Sequence, residues 1–163
     1  MATGTYYYVG GECYYVDNAV KYSDTYALNY NTLYTDFGNS DGSGGDCANF
    51  ASQCIDYGAG YTLRNNTWKP YTSAWTSSTS SVNYWAGIGT RINAPSASQI
   101  KKACPVYYDW DGIYNYNTFL HTAFCVGKDS SGVPIVNCHT VDYKHIRWNY
   151  GGSACKYATV QLY

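Results

Sequence analysis

The stretch that decides the fold is residues 44–55, which read Gly-Gly-Asp-Cys-Ala-Asn-Phe-Ala-Ser-Gln-Cys-Ile. Its apolar residues recur with the 3.6-residue period of a helix. One face of that helix holds Cys47, Phe50, Ala51, Cys54 and Ile55. The period predicts a helix that begins at Asp46 or Cys47 and ends near Tyr57, where the following glycines can terminate it. Cys47 then lies in the first turn of this helix, and the apolar face of the helix packs on the sheet.

Outward from this segment, the sequence predicts helices in the first half of the chain and strands in the second. Apolar spacing predicts a helix over residues 16–29, and Ser96 caps a predicted short helix that extends to Ala103. Residues 36–45 have the composition of a loop, whereas residues 59–95 give no clear assignment. The Val, Ile, Tyr and Phe content predicts strands over 106–110, 120–128, 133–140 and 157–162. The expected fold class is α+β, with N-terminal helices packed on an antiparallel sheet.

The composition indicates a single ordered domain over residues 1–163. The chain is 45% hydrophobic and 13% charged, which suits a globular protein with a buried core. Its net charge is −1 and it has no basic run, so we expect no nucleic-acid partner. No apolar stretch is long enough to cross a bilayer, so we expect no membrane insertion. We expect a monomer.

Seven cysteines are a high number for this length, and the odd count leaves at least one without an intramolecular partner. Many cysteines with one left over predict a secreted protein with disulfides and a reactive thiol. A reduced protein with buried thiols is the alternative. Residues 1–20 lack the apolar core of a signal peptide, so we expect that an export signal has been removed.

The position of Cys47 favours a nucleophile. A helix N-terminus carries a partial positive charge and unpaired N–H groups, and both stabilise a thiolate. The same N–H groups could hold the oxyanion of a tetrahedral intermediate. Gly44 and Gly45 would let a substrate approach the sulfur closely. The alternatives are that Cys47 is a small buried residue or a disulfide partner, although not of Cys54, which lies two helical turns away.

A cysteine nucleophile needs a base, and the sequence holds three histidines: His121, His139 and His145. His121 opens a predicted strand. If residues 130–132 form a three-residue hairpin loop, Asp129 pairs with Val133, and His121 and His139 become diagonal neighbours on one face of the sheet. His139 could then orient the His121 imidazole. A shift of one residue in the pairing would place His139 on the opposite face, and Asp142 is the alternative orienting group.

The segments 46–54, 121–127 and 139–142 together resemble the putative amidase domain of bacterial cell-wall and spore-associated proteins. That family is similar to the NlpC/P60 and CHAP groups of the papain-like cysteine hydrolases. The resemblance extends over most of residues 15–145. Where such domains usually have Gly-Asp before the strand that precedes the base, this chain has Cys104-Pro105.

The resemblance implies a role for each matching residue and a papain-like, NlpC/P60-like fold. Cys47 would be the nucleophile, His121 the general base and His139 the third catalytic residue. The residues implied to support them are Asp46, Asn49 and Asp142.

The implied reaction is hydrolysis of an amide bond in peptidoglycan, through an acyl-enzyme, by an extracellular, cell-wall-associated protein. No cofactor or metal is expected, because the chain has no HExxH motif and one Glu, Glu12. An acyl transferase using the same site is one alternative. Others are a non-catalytic wall-binding module whose aromatic residues stack on sugars, and an inactive disulfide-rich domain.

Overall fold

A computed structural model describes residues 4–38 and 45–163. Residues 39–44 of the predicted loop, among them Gly44, lie outside the described residues. The fold class is α+β, as predicted. In chain order, the elements are β1 (Tyr6–Val9), β2 (Glu12–Tyr15), α1 (Val16–Tyr26), α2 (Asp46–Gly58), α3 (Ser73–Thr76), α4 (Ser78–Ala86), β3 (Thr90–Asn93), β4 (Pro105–Asp109), β5 (His121–Lys128), β6 (Pro134–Cys138), β7 (Tyr143–Arg147) and β8 (Lys156–Gln161).

The strands form two antiparallel sheets. β1 and β2 make a hairpin, and the other six make a sheet in the order β3-β8-β4-β5-β6-β7. The helices pack on one face of the larger sheet, where α2 contacts β5 and α1 contacts both α2 and β5. The predicted helix α2 and the predicted strands β4, β5, β6 and β8 are confirmed with small changes at their ends.

The core is divided by the six-stranded sheet into two clusters. Alternate residues of β4 belong to different clusters, since successive side chains of a strand point to opposite faces. Tyr107 packs with the helices, next to fully buried residues such as Trp75 and Phe124. Tyr108 packs on the other face with the long loops that flank β7 and β8. Burial of these large aromatic rings is the main source of stability.

Helices α1 and α2 approach closely at Gly58. A Cβ atom at this position would lie 2.6 Å from the ring of Tyr14 and 2.7 Å from the Cβ of Ala19. The glycine that ends the helix, as the sequence predicts, is therefore also a packing requirement.

The predicted helix from Ser96 to Ala103 is wrong beyond its first turn. A 3-10 helix covers Ala97–Gln99, capped by Ser96, and Ile100 returns to extended backbone. The backbone N–H of Ala103 donates to the carbonyl of Cys125 at 2.7 Å, so strand pairing begins where the helix was expected to end.

The predicted disulfides are also wrong. Each of the seven cysteines is a free thiol in the structure, and six of them are buried. Cys104, which directly precedes β4, and Cys125 of β5 illustrate this. The backbone N–H of Cys125 donates to the carbonyl of Cys104 at 3.0 Å, but the two side chains belong to different core clusters. None of the helices in the described ranges has the length and hydropathy that a bilayer crossing requires.

Candidate active site

Cys47 is the second residue of α2. Gly45 precedes the helix with φ of 129°, a conformation that favours glycine. Gly45 is the N-cap and has no side chain to cap the helix, and N–H groups at a helix N-terminus can bind an anion. The thiol is 5% exposed, and its Sγ lies 3.8 Å from the hydroxyl of Ser78. That hydroxyl in turn lies 2.7 Å from the hydroxyl of Thr122 on β5.

Asp46 and Asn49 hold the first turn of α2 in place. The Asp46 carboxylate accepts from the backbone N–H of Phe37 at 3.2 Å and from the Asn49 amide at 2.7 Å. The Asn49 amide also donates to the carbonyl of Thr35 at 3.0 Å and accepts from the indole N–H of Trp75 at 2.7 Å. The Asp-Cys-Ala-Asn motif therefore joins the nucleophile's helix to a preceding loop and to a buried tryptophan.

His139 is buried on the helical side of the sheet. Its Nδ1 lies 2.5 Å from the Asp46 carboxylate, and its Nε2 lies 2.6 Å from the carbonyl of Tyr26. The ring stacks on Phe50 at 4.0 Å and contacts the Tyr30 ring in a tilted arrangement at 4.3 Å. Both ring nitrogens thus face oxygen atoms, one of Asp46 and one of Tyr26. His139 thus fixes Asp46 and the end of α1.

The predicted arrangement of His139 beside His121 is wrong by one residue of register. Lys128 faces Pro134, as the predicted loop requires, but a β-bulge between Cys125 and Gly127 shifts the pairing so that Phe124 faces Asn137. The shift turns His139 toward the helices, while His121 packs against the opposite face of the sheet.

His121 lies in an aromatic pocket on that opposite face. Its ring is 5.2 Å from the ring of Trp110 and 5.3 Å from that of Tyr108. Its Nε2 is 2.9 Å from the hydroxyl of Tyr150. Burial lowers the pKa of His121 to about 4, so the imidazole is neutral at pH 7. Within the described ranges, its Nδ1 has no hydrogen-bond partner.

Tyr150 lies between His121 and Cys138. Its hydroxyl also lies 3.6 Å from the Sγ of Cys138. Burial raises the pKa of Tyr150. Tyr150 therefore holds one nitrogen of His121 and lines the same cavity.

Cys47 and His121 open into adjoining cavities of about 270 and 290 Å³. Leu120 and Thr140 line both cavities and form the wall between them. No hydrogen bond joins the thiol to the imidazole among the residues that the structure describes. Thr140 has φ of 88°, rare for a β-branched residue, and its buried hydroxyl has no partner in the described part of the chain.

Asp142 lies on the side of His139. Its carboxylate accepts from the hydroxyl of Tyr30 at 3.0 Å, and the Tyr30 ring contacts the His139 ring. The alternative in which Asp142 orients His121 is not supported by any contact in the described residues. No three His, Cys, Asp or Glu side chains converge as metal ligands in those residues either.

Four side chains of this region were not predicted from the sequence: Ser78, Thr122, Thr140 and Tyr150. Ser78 opens α4, which falls in the unassigned stretch, and Tyr150 follows β7 in a loop. Thr122 and Thr140 directly follow the two predicted histidines, and that adjacency is the one signal that could have drawn attention to them.

Comparison with known proteins gives the same family as the resemblance of the Asp46–Cys54 segment. The family model described as putative amidase domain matches residues 13–163. The chain belongs to this family. The description indicates a hydrolase that acts on amide bonds, as predicted.

A relative in Bacillus subtilis (strain 168), the uncharacterized protein YhbB, is 28% identical over 147 residues. The match covers 83% of this chain and 44% of YhbB, so the chain spans less than half the length of that relative. No solved structure was found to match the chain.

Proposed function

We propose that this amidase-family domain hydrolyses amide bonds by cysteine catalysis, with Cys47 as the nucleophile and His121 as the general base. The observation that carries the proposal is the position of Cys47, in the first turn of α2, at a cavity that shares a wall with the cavity of a neutral histidine. This arrangement combines a thiol, a base in its unprotonated form and the N-terminus of a helix.

The reaction begins when the Cys47 thiol gives its proton to Nδ1 of His121 and the sulfur attacks the amide carbonyl carbon. First-turn N–H groups of α2 donate to the oxyanion that forms. The protonated imidazole then gives its proton to the leaving amine as the C–N bond breaks, which leaves a thioester. A water molecule, deprotonated by His121, attacks the thioester, releases the carboxylate and restores the thiol.

This sequence of steps requires the imidazole to reach the sulfur. Leu120, which lines both cavities, is 48% exposed, so a rotation of its side chain into solvent would lose little buried contact. For this step the Nε2–H of His121 must donate to the Tyr150 hydroxyl, which lies 2.9 Å away, so that Nδ1 is the unprotonated nitrogen that accepts the thiol proton. In this proposal Tyr150 orients the base, and His139 acts through Asp46 on the helix that carries Cys47.

We further propose peptidoglycan as the substrate and the outside of the cell as the place of action. The support is the resemblance of the Asp46–Cys54 segment and of the two histidine segments to wall-associated amidases and to the papain-like NlpC/P60 and CHAP hydrolases. The domain would act as a monomer on stem or cross-link peptides, or on the bond between the glycan lactyl group and alanine.

The test is digestion of purified peptidoglycan, with mass spectrometry of the soluble products. Wild type is compared with Cys47→Ala and with Cys13→Ala, which removes a thiol on the hairpin far along the chain from α2. We expect new amine and carboxylate ends with wild type and Cys13→Ala, and none with Cys47→Ala. Identical product profiles for wild type and Cys47→Ala would contradict cysteine catalysis, and wall binding without any products would favour the non-catalytic module.

A further inference from the structure

A tyrosine-rich cleft lies on the helical side of the molecule, outside the site described above. It consists of a cavity of about 480 Å³ and an adjoining cavity of about 250 Å³. The two share Asn31, Leu33 and Tyr61 in their walls. This is the size range in which proteins bind small molecules or short segments of polymers.

The cleft presents aromatic rings to solvent instead of burying them. Tyr61 and Tyr71 are 49% and 48% exposed, and Tyr57 and Tyr34 add further ring surface. Each tyrosine has an apolar face next to a hydroxyl that can donate or accept a hydrogen bond. A pyranose ring has the matching surface, with C–H groups on its face and hydroxyls around its edge.

Two of these tyrosines occupy conformations that would suit glycine better. Tyr61 has φ of 68° and Tyr71 has φ of 74°, in the left-handed region. Such a conformation is strained for an L-residue, and strained residues concentrate at ligand-binding positions. The bulky rings at these two turns are therefore present despite a cost to stability, which points to a use for the rings themselves.

The charges in the cleft select against an ionic ligand. Arg64 lines its wall, but the guanidinium is bound to the buried carboxylate of Asp56 at 2.6 Å and lies over the Tyr61 ring at 4.9 Å. Lys21, at the outer end of the smaller cavity, is the remaining cation of the lining. An acidic peptide or a nucleic acid would need several available cations, so the lining fits a neutral ligand.

The cleft is connected to the first turn of α2. The Tyr71 hydroxyl accepts from the backbone N–H of Thr35, whose carbonyl accepts from Asn49. Phe37 packs edge-on against Tyr71 at 5.6 Å, and its N–H donates to Asp46. One short segment thus forms part of the cleft and also holds the helix that carries Cys47.

We propose that this cleft binds a neutral oligosaccharide, with pyranose rings stacked on Tyr61 and Tyr71. Two adjoining cavities fit two or more consecutive sugars of a linear chain. The inference deepens the proposed function and rests on it for one point, which is that the sugar belongs to the polymer whose amide bond is cleaved.

The test uses the tetrasaccharide of β-1,4-linked N-acetylglucosamine and isothermal calorimetry with the full chain carrying Cys47→Ala. In that background we compare Tyr61→Gly and Tyr71→Gly, which relieve the backbone strain and so keep the protein folded. Tyr8→Ala is the matched control, since Tyr8 is 65% exposed and does not line the cleft. We expect binding, a tenfold or greater loss of affinity in each glycine variant, and no change in the control.

Three results would overturn the inference: no binding by the parent protein, equal losses in Tyr8→Ala and the cleft variants, or tighter binding of an acidic tetrapeptide. The experiment is independent of catalysis because the nucleophile is absent. Sugar binding by a protein whose wild type releases no products from peptidoglycan would leave the cleft assigned and remove the proposed function. Release of products from peptidoglycan by a protein that does not bind the sugar would support the proposed function and remove the assignment of the cleft.

Discussion

The burial of His121 predicts a loss of stability in mild acid. The native imidazole has a pKa of about 4, against an ordinary value of 6.5, because burial among aromatic rings disfavours its charged form. As the pH falls below 6.5, the unfolded chain binds a proton at this residue and the native protein does not. The stabilising contribution is therefore complete above pH 6.5 and is lost between pH 6.5 and 4.

The size of this effect follows from the separation of the two pKa values. At about 1.4 kcal/mol for each tenfold change in proton affinity, the free energy of unfolding falls by about 3 kcal/mol across this window. The aromatic neighbours Tyr108, Trp110 and Tyr150 carry no charge in this range, so none of them offsets the loss.

The assay is urea unfolding at a series of pH values between 7 and 4, for wild type, His121→Gln and His145→Gln. The first variant replaces the buried imidazole by a neutral amide, and the second removes an exposed imidazole that contacts Asp24. We expect His121→Gln to be less stable at pH 7 but to lose about 3 kcal/mol less than wild type on acidification. Equal pH dependence in wild type and His121→Gln would refute the reasoning from burial.

Three further predictions concern packing, thiols and strain. Gly58→Ala will lower the free energy of unfolding by about 1–3 kcal/mol, because the added methyl group would meet the Tyr14 ring at 2.6 Å. Without a reductant, the native protein will react with a thiol reagent only at Cys13, which is half-buried, and at Cys47, which lines a cavity, and the unfolded protein will react at all seven cysteines. Thr140→Gly will raise the free energy of unfolding by about 1 kcal/mol, because it relieves the φ of 88°.

Each of these has a clear contrary result. Full stability of Gly58→Ala in thermal unfolding would mean that the two helices separate easily. Fewer than seven reactive thiols after unfolding would show disulfides that the structure lacks. A Thr140→Gly variant less stable than wild type would mean that the threonine makes a contact that offsets its backbone strain.

The elements that sequence patterns predicted are those whose residues repeat with one period. The apolar face of α2 and the β-branched and aromatic runs of β4, β5 and β8 are local signals, and tertiary contacts reinforce them. The β1–β2 hairpin was missed although Gly10-Gly11 is a strong signal for a tight turn. Helix α4 was missed because its serines and threonine resemble loop composition.

The arrangement of the site residues could be predicted from the sequence only in part. The position of Cys47 at the start of a helix followed from one segment, whereas the relation of His121 to His139 depended on the register of two strands. A single bulge, at which Gly127 has φ of 147°, turned one histidine away from the other. A glycine inside a predicted strand is the signal for such a bulge. Tyr150 comes from a loop after a different strand, so no pattern along the chain could have connected it to His121.

The expected disulfides failed for a related reason. The number of cysteines gives no information about the distance or direction of their side chains. In the fold, Cys54 and Cys104 pack among the helices, while Cys138 and Cys155 lie on the other face of the sheet.

The most direct test of the central claim is to look for the acyl group on its sulfur. Wild type is mixed with a peptidoglycan fragment, quenched with acid within one turnover and mapped by mass spectrometry of its peptides. We predict an adduct on Cys47 that hydroxylamine removes and that accumulates less in His121→Gln. An adduct on another residue, or products formed without any adduct on Cys47, would contradict the assignment of Cys47 as the nucleophile.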